Sequence, residues 1–131
     1  MRYEVLEVER FPSDVLPNVL YVSREFKMCA HRCACGCGDV IELPFDDLNF
    51  RITQGPQGVT LRPSVGNWNV CDAHYFITDG EVQWLPRLSP AQIAAGRAVE
   101  NARRENFYAR KVTWRQRMWS WLAHIRAWFG R

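Results

Sequence analysis

Four of the chain's five cysteines, Cys29, Cys33, Cys35 and Cys37, fall within nine residues, with His31 among them. The fifth, Cys71, is followed three residues on by His74, in CDAH. Thiolate sulfur and imidazole nitrogen are the donors zinc prefers, and a tetrahedral site needs four of them converging. Such donors commonly arrive as two local groups that the fold brings together. Cys71 and His74 form one pair. Cys33, Cys35 and Cys37 compete to supply the other two donors, with His31 as a substitute. Alternation along an extended segment would send sulfurs two apart to opposite faces. Gly36 and Gly38 release the segment from that rule, so spacing does not choose among them. The same glycines let backbone N–H groups turn toward sulfur, which steadies a metal thiolate.

Other chemistry fits these residues less well. Buried cysteine can simply fill a core, but here three cysteines alternate with Ala and Gly in a turn-like stretch. Cys35 beside a histidine could act as a nucleophile, yet no single Cys-His-acid set stands apart. A catalytic zinc would need an open position and a general base. Asp39 and Asp72 lie beside the two clusters, but neither belongs to a hydrolase motif such as H-E-x-x-H. No catalytic residue is therefore assigned.

The elements that must carry these donors read as β to about residue 86. YEVLEV (3–8), VLYVSREF (19–26), VIELPF (40–45) and LNFRI (48–52) are strand-like. GPQG reads as a turn into a short strand, VTLRP (59–63), followed by a loop, SVGNWN (64–69). HYFITDGEVQW is a hairpin signal, with Asp79-Gly80 suiting a type I′ turn. Ser89 and Pro90 then open a helix, and a second helix is expected at about 113–129. The fold expected is mainly β, a small sandwich or barrel with a metal-binding loop pair, in residues 1–86. A helical extension occupies 87–131.

Charge divides the chain at the same place. Residues 1–86 carry 7 Lys/Arg against 12 Asp/Glu, and residues 87–131 carry 10 against 2. In the tail, Trp114, Met118, Trp121, Ile125 and Trp128 recur at spacings of four and three, an apolar helical face. Arg115, Arg117, Arg126 and Arg131 are interleaved with them. This face can pack on the core, serve a protein partner through Trp114, Trp121 and Trp128, or lie on a membrane surface. Nucleic acid is disfavoured, since no base-reading motif accompanies the arginines. MRYEVLEVER lacks the apolar run of a secretory signal, and no stretch is apolar enough to span a bilayer. A cytoplasmic location and reduced thiols are the expectation.

Two resemblances sharpen this reading. CDAHYFITDGEV resembles the second ligand motif of Rieske proteins, and Cys29-Ala30-His31 would supply the C-x-H half. That likeness implies a Rieske-like β fold and, as an alternative to zinc, a [2Fe–2S] cluster for electron transfer. It leaves Cys33, Cys35 and Cys37 without a role. More extensively, HRCACGCGDVIELPF, VTLRPSVGNWN and CDAHYFITDGEVQW, in that order, resemble a bacterial Cys/His-rich domain family of unknown function. Its motif residues fall on His31, Cys33, Cys35, Cys37, Asn67, Trp68, Cys71 and His74. Ala73 stands where the family pattern has Ser, and Cys29 is additional. The family occurs beside E1-like, E2-like and ubiquitin-like genes. The resemblance implies a zinc-binding accessory or adaptor of a ubiquitin-like conjugation or defence system, with protein partners. Trp68 is a further candidate partner contact. A metal-dependent or cysteine-dependent enzyme is the alternative.

Overall fold

A computed structural model describes residues 1–129 of the chain. The chain divides into a β unit, Met1–Pro90, and a helical unit that begins at Ala91. Arg131, counted above among the tail arginines, lies outside the described residues.

The β unit holds two four-stranded sheets. The first runs β1 (Glu4–Glu7), β2 (Val19–Ser23), β3 (Met28–Arg32) and β4 (Val40–Pro44), in that spatial order. β1 pairs parallel with β2, so the chain must cross over between them; Pro12 and Pro17 keep that crossover irregular. The second sheet runs β5 (Arg51–Gly55), β6 (Gly58–Asn67), β7 (Ala73–Thr78) and β8 (Glu81–Trp84), antiparallel throughout. Strict alternation on β7 buries Ala73, Tyr75 and Ile77 on one face. They join Leu20, Val22, Cys29 and Ile41 of the first sheet and Val59, Leu61 and Val65 of β6 in one core. Burying a side chain such as Leu61 or Ile77 contributes about 1.5–3 kcal/mol before entropy is charged. The two sheets share this core without closing into a barrel.

The mainly β architecture followed by a helix is as expected, and so is the β7–β8 hairpin. Its turn residues Asp79 and Gly80 both adopt positive φ, at 50° and 82°, as a type I′ turn requires. Four local expectations fail. Cys29–Arg32 is strand β3 rather than loop, because it pairs with both β2 and β4. LNFRI enters the strand only at Arg51: the Asp46 carboxylate accepts the backbone N–H groups of Leu48 and Asn49 at 2.8 and 2.7 Å, and this turn delays β5 to Arg51. Ser64–Asn67 is strand rather than loop. Pairing of Val65, Gly66 and Asn67 with Tyr75, His74 and Ala73 overrides the turn character of P-S-x-G-N, after a register shift following Leu61. Finally, one helix, α1 (Pro90–Phe129, 40 residues), replaces two. No proline interrupts it, and Thr113 is accommodated by donating its hydroxyl to the Ala109 carbonyl at 2.6 Å. On this helix Trp114, Trp119, Trp121 and Trp128 are exposed.

Candidate functional site

The loop between β3 and β4 and the turn between β6 and β7 bring four sulfurs together. The Sγ atoms of Cys33, Cys35, Cys37 and Cys71 all lie within 4.8 Å of one another. Cys33 Sγ is 3.5 Å from Cys35 Sγ and 3.6 Å from Cys71 Sγ. Sulfurs bound tetrahedrally to zinc at about 2.3 Å stand about 3.8 Å apart, so the donor set fits such an ion. The loop is closed at its base by Cys33 N–H donating to the Asp39 carbonyl at 2.9 Å. Gly36 and Gly38 hold φ of 84° and 86°, a conformation that strains any other residue. That winding aims Cys37 N–H at Cys35 Sγ, 3.3 Å away.

Asn67 builds the other half. Its carbonyl accepts the N–H groups of Cys71 and Asp72 at 3.2 and 2.9 Å, folding the turn that presents Cys71. Its side-chain amide donates to Asp39 Oδ2 at 2.8 Å, tying the turn to the loop. Burial pushes the Cys33, Cys35 and Cys71 thiols up, whereas a hydrogen bond from the Asp39 backbone holds Cys37 down. Four adjacent thiolates repel one another, so the full ligand set needs the charge of an ion to form.

Cys29 and His31, which would supply the first half of a Rieske-type set, are both fully buried in β3 and stand apart from the sulfur group. Burial pushes the Cys29 thiol up to about 12 and the His31 imidazole down to about 4, so both are neutral. His31 Nε2 lies 2.9 Å from the Tyr75 hydroxyl, which also accepts Ala34 N–H at 3.3 Å. His31 packs edge-on to Tyr3 and Tyr75.

His74 also stands apart from the sulfurs. Its Nδ1 is 2.9 Å from the Pro86 carbonyl and its Nε2 is 3.0 Å from Ser64 Oγ. A carbonyl only accepts, so Nδ1 carries the proton and, in the neutral ring, Nε2 presents its lone pair to Ser64. Strand register makes the pair. Gly66 lies opposite His74 on β7, which places Ser64, two residues earlier on the same face of β6, beside the imidazole. Leu85 N–H donates to the His74 carbonyl at 2.8 Å, bringing the segment after β8 back to deliver Pro86. The Trp68 ring lies 5.0 Å from the His74 ring. It covers Gly66 so closely that a Cβ there would fall 2.2 Å from the indole. Ser64 and His74 are both half-buried.

A hydroxyl hydrogen-bonded to an imidazole whose other nitrogen is fixed by a third group is the arrangement that activates a serine nucleophile. Here a backbone carbonyl holds the place often taken by a carboxylate. Sequence reading did not single out Ser64 and counted His74 among five candidates for four metal positions; the sulfur group holds the four cysteines of that set. The signal available was the antiparallel register of the two segments, obscured because Ser64–Asn67 read as a loop.

No curated protein and no solved structure matches the chain. A family model does: residues 7–85, more than half of the chain, match the family described as bacterial ubiquitination-like system serine protease, BubE. The matched span holds all four clustered cysteines, Ser64 and His74. By that match the chain belongs to the BubE family of bacterial ubiquitination-like systems.

Proposed function

We propose that this chain is a serine peptidase of a bacterial ubiquitination-like system, with Ser64 as nucleophile and His74 as general base. The observation that carries the reading is the continuous relay from Ser64 Oγ through the His74 ring to the Pro86 carbonyl. In the first step Ser64 Oγ attacks a peptide or isopeptide carbonyl while Nε2 takes its proton. Nε2 then protonates the leaving amine as the C–N bond breaks, leaving an ester on Ser64. Water, deprotonated by the same nitrogen, hydrolyses the ester and restores the hydroxyl. The Pro86 carbonyl acts by orientation: it fixes the tautomer and stabilises the imidazolium formed in each step. Its partners are proteins of the same system, the ubiquitin-like modifier and its conjugates.

Cys33, Cys35, Cys37 and Cys71 are proposed to hold zinc. A sulfur-only set fills all four positions, so the ion supplies a structural cross-link between the β3–β4 loop and the β6–β7 turn. None of the five cysteines is joined in a disulfide, so the four clustered sulfurs are available as donors. Among the described residues no helix is long and apolar enough to cross a membrane. A purely accessory, metal-holding adaptor, the role expected from sequence, would leave the Ser64–His74 hydrogen bond without a task. For that reason the peptidase reading is preferred.

Labelling with a fluorophosphonate tests it. The intact protein is expected to form one covalent adduct, located on Ser64 by peptide mass mapping, and Ser64→Ala to form none. Equal labelling of Ser64→Ala would overturn the assignment. Metal content is read separately: about one zinc per chain is expected, whereas visible absorbance from iron would replace zinc with a cluster.

A further inference from the structure

The last half of α1 has a composition and a geometry that the peptidase reading does not use. Glu105 is the last acidic residue of the chain, and Arg110, Lys111, Arg115, Arg117 and Arg126 follow it. At about 100° per residue, Trp114, Met118, Trp121, Ile125 and Trp128 fall within one arc of roughly 80°. Leu122 widens that arc on one side. Arg117 borders one edge of it, and Arg115 and Arg126 border the other. Thr113, Gln116, Ser120 and Ala123 take the opposite face, and Trp119 lies beside Arg126 at its border. Trp114, Trp121 and Leu122 are exposed, with Trp114 at 65% and Trp121 at 64%.

An apolar stripe edged on both sides by arginine is suited to the boundary between acyl chains and anionic headgroups. Indole rings sit at that depth, while the arginine stems run along the apolar layer and carry the guanidinium groups up to phosphate. A nucleic acid would leave the tryptophan stripe facing water. No helix among the described residues is apolar enough to span a bilayer, so the segment would lie along the surface.

We propose that the 114–128 segment of α1 is an interfacial helix that docks the protein on anionic lipid. The probe is the full-length protein with vesicles of phosphatidylcholine alone or mixed with phosphatidylglycerol, read by co-sedimentation and by the tryptophan emission maximum. Sedimentation with a blue shift is expected on the anionic vesicles, with little of either on the neutral ones. Combined Arg115→Glu, Arg117→Glu and Arg126→Glu is expected to lower partitioning roughly tenfold or more. Trp114→Ala with Trp121→Ala should lower it at unchanged charge. Far-ultraviolet circular dichroism on the same samples checks that the helix persists. Raising salt on the unmodified protein gives a second reading, because weaker binding is expected without any substitution. Equal binding to neutral and anionic vesicles overturns the proposal. So does capture by heparin or duplex DNA in place of vesicles, or undiminished binding by the charge-reversed variant.

Discussion

The hairpin of β6 and β7 carries two polar constellations a few residues apart, and they are built in opposite ways. At its turn, Cys71 joins three sulfurs from a glycine-wound loop to make a set that can surround one ion. Along its strands, Ser64 and His74 meet as single half-buried side chains. The first is a closed set, and closure suits a cross-link. The second keeps a lone pair pointed at a hydroxyl, and a polarised hydroxyl suits a reaction. Asn67 stands between them, with its carbonyl folding the cysteine turn and its backbone still in the strand that carries Ser64.

The division of labour can be broken from either side. Ser64→Ala has the largest expected effect: a loss of hydrolysis of about 10³-fold or more, with metal content and thermal midpoint unchanged. A variant that loses metal along with activity would show that the two constellations are one. Cys71→Ser should release the metal and lower unfolding stability by about 3 kcal/mol or more, read by metal analysis and denaturant titration. Activity is then expected to track the folded fraction. Lost activity at full stability would instead draw the metal into the chemistry. Gly66→Ala must push the Trp68 indole off the strand. A drop in kcat of roughly ten- to hundredfold is expected with metal retained, since small misplacements near the base are costly. Asn67→Ala is the mildest and sharpest test. Loss of its amide bond to Asp39 should cost about 1–3 kcal/mol and speed metal release to a chelator, while the folded protein keeps most of its activity.

The same contrast explains what could be read from sequence. The sulfurs were legible because their chemistry is local: C-x-C-x-C with glycines is conspicuous before any fold is known. Cys71 was legible as the distant member for the same reason. His74 was counted among the metal candidates by proximity in sequence, but on a strand a residue three positions from Cys71 points where the sheet directs it. Ser64 was invisible because a serine after proline carries no signal of its own. Its meaning comes only from standing beside His74 across a strand pair. Strands with clean alternation, such as β7, and the Asp79-Gly80 turn were legible from period and turn chemistry. β3 was hidden because its cysteine and histidine suggested a loop. The end of β6 was hidden because local turn propensity lost to pairing with β7. The single helix was read as two because the apolar stripe begins only in its second half, although nothing breaks the backbone between.

The Pro86 carbonyl has a consequence for how the site can be altered. The group that fixes His74 Nδ1 is main chain, and it lies just past β8, outside either sheet. On the proposed reading, exchanging the side chain at position 86 leaves that oxygen in the molecule, whereas a carboxylate in its place would be lost by one substitution. The orientation of the base is thus written in the path of the backbone, which Leu85 N–H fixes by donating to the His74 carbonyl at 2.8 Å.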